Sequence, residues 1–289
     1  MTVGLSVAIA GCSLVGVGYD WLPSLAMWRA DGYVSLTPEQ RALAQRRIGD
    51  LHAWHRATQL DDYLAFLRGV QRRVATGEVD EAQIRAWRLE AFERWKPIAE
   101  RAAPGVAEVA LTLEPHQVQR MRAEIARDND KVRRKWLPAD PAQRVEARYK
   151  RYVERAETFL GPLTDPQRQL ARRMAAEAPP TEDAWFAQRL ARQQDLLALM
   201  ERLRTERPSE ETASRWMRDH LMRYAPARDG PDRASTESSL AAGDAMSAAM
   251  LASATPKQRQ HLERKLQEWV EMVEGLRPAQ TAQTPATAR

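Results

Sequence analysis

The single cysteine, Cys12, follows Ile9, Ala10 and Gly11, and no side chain from Met1 to Tyr19 carries a charge. Two small residues ahead of a thiol let a peptidase groove reach the backbone, and the thiolate is the nucleophile that can take up a thioether-linked group. A second chemistry to weigh is metal binding. His52 and His55 lie three residues apart, on one face of a helix, with Asp61 and Asp62 just beyond. The stretch lacks a third ligand at a recognised spacing, so the reading is no metal, and a buried His55 with one ring nitrogen bonded to backbone. A third is anion or partner binding by the segments DKVRRKW and RYKRYVER. These supply Lys131, Arg133, Arg134, Lys135, Arg148, Lys150 and Arg151 beside Trp136, Tyr149 and Tyr152. The alternative is a solvated face with i,i+4 pairs such as Lys150 with Glu154. No HExxH, GxSxG, Walker loop or dinucleotide fingerprint occurs, so the sequence points to no catalytic residue, no cofactor and no enzyme.

The elements that must position these groups are helices. Of 289 residues, 44% are apolar and 29% charged, with 13 glycines and little Val-Ile-Thr alternation. Good helix formers dominate almost every window, which predicts an all-α multi-helix bundle of about nine or ten helices and no sheet. Ala44, Ile48, Leu51 and His55 mark one apolar face, and Leu60, Leu64, Leu67 and Val74 a second. Further helices are expected over 81–102, 115–136, 141–159, 166–178, 182–207, 210–224, 235–253 and 256–276. The last pair should dock on the preceding helices. Domain organisation then reads as a signal segment over 1–11, a tether over 12–30, one helical domain over 31–276 with a loop at about 226–239, and a disordered tail over 277–289. Eight tryptophans sit within helical patterns, from Trp28 to Trp269, and most are expected as core or inter-helix anchors.

The Ile9-Ala10-Gly11-Cys12 run resembles the lipobox of bacterial lipoproteins. By that resemblance Cys12 is lipidated, carrying diacylglycerol and an N-acyl chain such as palmitate. At about 0.8 kcal/mol per buried methylene, several chains hold a soluble domain on a bilayer. A transmembrane helix needs roughly 20 apolar residues, and Gly4, Gly11, Gly16 and Gly18 interrupt the run before Asp20 ends it. One departure is that no Lys or Arg precedes the apolar segment. Ser13 after the cysteine is similar to the outer-membrane sorting pattern of such lipoproteins, which implies the periplasmic face of the outer membrane.

Helix starts recur at Leu36-Thr37-Pro38-Glu39-Gln40, Leu163-Thr164-Asp165-Pro166-Gln167 and Ala254-Thr255-Pro256-Lys257-Gln258. Weaker relatives are Leu113-Glu114-Pro115-His116-Gln117 and Ala139-Asp140-Pro141-Ala142-Gln143. Each reads as a capping box: the cap oxygen accepts from the third helical N–H, and Gln there reaches back to the cap N–H. The Leu-Thr-x-x-Gln pattern also resembles that of periplasmic, all-helical stress proteins of the Spy and CpxP type, although good capping can arise independently. Tyr19-Asp20-Trp21-Leu22, Trp28, Asp31-Gly32-Tyr33-Val34 and Trp54-His55-Arg56 resemble an uncharacterised family of proteobacterial lipoproteins that carry this Trp-His-Arg segment behind a lipobox. That family implies localisation and fold, and donates no catalytic residue.

The expected function is a non-catalytic binding or chaperone-like envelope module. Its partners would be the membrane, through Cys12, and envelope proteins or anionic envelope components, with no nucleic acid. The alternatives are a structural scaffold of an envelope assembly and an unrecognised cell-wall hydrolase.

Overall fold

The computed structural model describes residues 18–223 and 233–277, and every regular element among them is an α-helix. In chain order the helices are α1 (Leu22–Val34), α2 (Pro38–Thr58), α3 (Leu60–Thr76), α4 (Glu81–Glu93), α5 (Trp95–Leu111), α6 (Pro115–Trp136), α7 (Pro141–Leu160), α8 (Asp165–Glu177), α9 (Glu182–Glu206), α10 (Glu210–Arg223), α11 (Arg233–Ala252) and α12 (Pro256–Leu276). Twelve helices replace the expected nine or ten for two reasons. Residues 22–30, read as tether, fold with 31–34 into α1, which buries Met27 and Val34 against α2 and α6. The single helix expected over 81–102 breaks at Arg94, and α5 then runs through Pro104 to Leu111. Pro97 sits in the first turn of α5, where its missing N–H costs nothing, and packing carries the helix past Pro104. The expected loop at 226–239 lies partly outside the described residues, and its end, 233–239, is the first part of α11.

Four of the five box sequences explain more than capping. Gln40 at the start of α2 and Gln117 at the start of α6 face each other in the interior, and Gln117 has no exposed surface. Gln40 Nε2 donates to Gln117 Oε1 at 3.0 Å and to the Thr112 carbonyl at 2.7 Å. Gln117 Nε2 returns the bond to Gln40 Oε1 at 2.7 Å and reaches the Ser35 carbonyl at 3.0 Å. Each Oε1 also accepts the backbone N–H of its own cap residue, Thr37 or Glu114. Gln167 and Gln258 repeat the arrangement between α8 and α12, donating to Ser253 and Pro162 carbonyls and to each other. Every polar valence of four buried amides is filled, the condition under which such groups belong in a core. The fifth sequence differs: Asp140 accepts from Ala142 N–H, and Gln143 is exposed.

These two knots fall at equivalent places in two halves of six helices, α1–α6 and α7–α12. The halves exchange their middle helices. Helices α9 and α10 pack on α5 and α6 of the first half, while α3 and α4 pack on α11 and α12 of the second. One core therefore gathers Met27, Ala103, Ala107, Val118, Met200 and Met217. The other is formed by Val153, Leu160, Met246, Met250 and Leu266, continued by Leu60 and Leu64 of α3 against Val270 and Val273. Alanines at 99, 103, 107 and 110 give α5 a buried small-residue stripe, which lets α10 bring Ala213 and Met217 close. Across the other exchange, Arg88 of α4 holds Asp244 of α11 with Nε and Nη2 between 2.8 and 3.1 Å, both side chains largely buried.

Candidate functional site

A cleft of 740 Å³ opens in the first core between α1, α2, α5, α6 and α9. Its floor is apolar because α5 presents only short side chains there, Val106, Val109 and Ala110, opposite Ile48, Ile125 and Met200. Gly105 sets the wall: a Cβ built on it would lie 2.9 Å from Cβ of Arg47, so α2 and α5 touch at this point. The rim is polar and rich in arginine, with Arg29, Arg47, Arg101 and Arg189 against Asp50, Glu108 and Glu210.

One end of the cleft has a built polar group. Tyr33 donates its hydroxyl to Asp128 Oδ2 at 2.6 Å, and Arg29 Nη2 contacts the same oxygen at 2.9 Å. The Tyr33 hydrogen bond holds the Asp128 carboxyl below its ordinary range, with Arg29 adding to the effect. Burial and the charge of Asp128 push the Tyr33 phenol upward. Behind them Arg189 Nε donates to buried Asn129, whose amide nitrogen donates to Gln193. An apolar body with one convergent polar end is the usual composition of a small-molecule or peptide-segment site.

The second half contains the equivalent cleft, and it is smaller. Counting from Gln117 and Gln258, Gly105 corresponds to Met246, Val109 to Met250 and Ala110 to Leu251. Asp128 corresponds to Trp269, which stacks edge-on with Phe159 at 5.5 Å. Large side chains leave 270 Å³ there. Two packings of one architecture thus differ by substitution: one half narrows its cleft with large apolar side chains, and the other keeps more space and lines its end with charge.

The residues singled out from sequence are distributed as follows. Cys12 lies outside the described residues. Arg148 is not a surface cation: it is 7% exposed, pairs with both carboxylate oxygens of Glu182 and donates to the Ala175 and Ala178 carbonyls, tying α7 to the end of α8. A buried, fully bonded guanidinium has no donor left for a partner, which corrects its place in the anion-binding set. The other six lie on α6 and α7. Lys135 and Arg151 both lie over the Trp136 ring, at 5.3 and 5.0 Å, and Arg133 over Phe186 at 5.3 Å. Arg134 and Lys150 are exposed, and Lys131 is 3.5 Å from Asp128. Among the described residues no ion pair joins Lys150 to Glu154.

His52 and His55 act as a clamp. His55 bonds both ring nitrogens to tyrosine hydroxyls, Nδ1 to Tyr19 at 2.7 Å and Nε2 to Tyr63 at 3.0 Å. It is His52, rather than His55, that meets backbone, at the Tyr19 carbonyl. Arg56 pairs with Asp20 at 2.7 Å and lies over the Tyr19 ring. No cluster of three metal-ligating side chains occurs among the described residues. The Trp-His-Arg segment therefore holds the chain at Tyr19 and Asp20, directly after the uncharged stretch. Trp54, Trp87, Trp136, Trp216 and Trp269 are half-buried, Trp95 donates to the Leu221 carbonyl on α10 and Trp185 lies against Trp136, whereas Trp28 is exposed.

Sequence reasoning did not find Arg29, Tyr33, Asp128 and Arg189, which come from three helices. A signal was present, because aligning the halves on their box glutamines sets Gly105, Val109 and Ala110 against Met246, Met250 and Leu251. Among the described residues no helix is long and apolar enough to cross a membrane. No curated protein and no solved structure matches the chain. A family of unknown function, DUF6279, matches residues 32–221, from the end of α1 to α10, and the chain belongs to that family.

Proposed function

We propose that the protein is a membrane-anchored periplasmic binding module that works without covalent chemistry, holding an apolar segment of a partner in the α1–α2–α5–α6–α9 cleft. The observation that carries this reading is the contrast between the two halves: 740 Å³ of apolar space beside Arg29, Tyr33, Asp128 and Arg189, where the other half is packed with Met246, Met250 and Trp269. The exposed cations Arg134 and Lys150, with Lys131, Arg133, Lys135 and Arg151, supply a face for acidic flanks of the same partner. Lipid on Cys12, suggested by the lipobox resemblance, would place the module on the outer membrane, facing the periplasm.

The test uses 1-anilinonaphthalene-8-sulfonate, an apolar dye with one anionic group, and an unfolded, aggregating periplasmic protein. Saturable dye binding and suppressed aggregation are expected, and both should fall in Val106→Trp, which fills the cleft from a partly exposed position. Reversing Arg134 and Lys150 to Glu should weaken suppression alone. Unchanged suppression in Val106→Trp would remove the cleft from the mechanism. Mass spectrometry of the mature N-terminus tests the anchor separately.

A further inference from the structure

Helix α1 has apolar residues on both sides. Met27 and Val34 face α2 and α6, as an amphipathic surface helix requires. The opposite side carries Trp21 just ahead of the helix, then Leu25 and Trp28, four and seven residues on, with Leu22 alongside. These are the most exposed large apolar side chains described, with Trp21 at 66%, Leu25 at 56% and Trp28 at 69%. Contiguous exposed apolar surface of this kind marks an interaction site. None of the cleft-lining side chains belongs to this face except through the neighbouring Arg29, so the two surfaces are distinct.

We propose that this Trp21–Leu25–Trp28 face lies in the interfacial layer of a lipid bilayer. Three observations select a bilayer over another protein. Indole rings and leucine on one side of a short helix match the water–lipid boundary, where amphipathic rings concentrate. The face begins two residues after an uncharged stretch, Met1 to Tyr19, which enters α1 from the same end. The Tyr19–His55–Tyr63 bonds and the Arg56–Asp20 pair fix the chain at that junction to α2 and α3, so the bundle's orientation would be set along with the helix. The inference rests on the membrane location proposed above, but not on lipid at Cys12.

The experiment uses the full chain with Cys12→Ser and a single new thiol, Leu25→Cys, carrying an environment-sensitive nitrobenzoxadiazole probe. A control carries the probe at Gln143→Cys, an exposed position. Vesicles of phosphatidylethanolamine and phosphatidylglycerol are added. The α1 probe should shift to shorter wavelength, brighten several-fold and be quenched by spin-labelled headgroups, while the control stays water-like. Adding Trp28→Asp, an exposed position whose change leaves the helical circular dichroism intact, should weaken vesicle binding by roughly tenfold. A water-like α1 probe on protein that still floats with vesicles would overturn the inference, since residues 1–17 alone would then hold the membrane. A shift that depends on protein concentration without lipid would overturn it in favour of a second copy. A bare Cys12 in the native protein would remove the anchor reading and leave this result standing.

Discussion

Gln40 and Gln117 exchange side-chain hydrogen bonds across the interior, each also holding a backbone carbonyl in the turn that leads into the other's helix. The pair fastens two helix starts 77 residues apart in sequence, and Gln167 with Gln258 does the same 91 residues apart.

Replacing Gln117 by Ala should therefore cost about 2–4 kcal/mol, because it leaves a void and strands the Ser35 carbonyl and the Gln40 amide. Gln258→Ala should cost a similar amount through Pro162 and Gln167. Gln143→Ala, at the exposed fifth box, should change stability by less than about 0.5 kcal/mol. Urea unfolding of the three variants checks the contrast; equal effects would show that the boxes serve only as caps.

The Arg88–Asp244 pair ties α4 of one half to α11 of the other. Arg88→Ala should destabilise by about 3 kcal/mol, since it leaves a buried carboxylate without its partner. Arg88→Leu combined with Asp244→Leu should recover most of that loss. Thermal unfolding distinguishes the two, and an additive double variant would refute the coupling.

Gly105 gives α5 room to touch Arg47 of α2. Gly105→Ala should push the helices apart and lower stability by about 1–3 kcal/mol, despite the better helix propensity of alanine. A gain in melting temperature would show that the contact relaxes freely.

His55 gives the protein a pH dependence whose sign is set by its surroundings. Burial, then the neighbouring His52, lowers its pKa from the ordinary 6.5. The tyrosine hydroxyls of Tyr19 and Tyr63 occupy its ring nitrogens, and Arg56 and Asp20 flank the site. The unfolded chain binds the proton more readily, so this stabilisation is complete above about pH 6.5 and is lost as pH falls through the lower folded value. His220, also lowered by burial, acts with the same sign. Urea midpoints measured at pH 7.5 and 5 should fall together with Tyr19 docking, and His55→Gln should flatten the difference without abolishing it.

The box sequences Thr37-Pro38-Glu39-Gln40 and Thr255-Pro256-Lys257-Gln258 identified their helix starts because capping is a local matter, decided by four residues of one chain segment. The apolar faces of α3 and α9 were readable for a similar reason: Leu60 and Leu64, or Phe186, Leu197, Met200 and Leu203, follow the helical period whatever they pack against. Helix α1 escaped notice because both its sides are apolar, which erases the periodicity, and α5 because Pro104 reads as a stop.

The all-helical class, the capped starts and the uncharged stretch with Cys12 were determined by the amino-acid sequence alone, since each depends on neighbours within a turn or two. Only the tertiary structure decided that the box glutamines pair and that the halves exchange their middle helices. The same holds for Arg148, which the fold buries, and for the cleft it opens beside Asp128. Those outcomes depend on which surfaces meet across separations of up to 206 residues, and a side chain's type does not say what will stand opposite it.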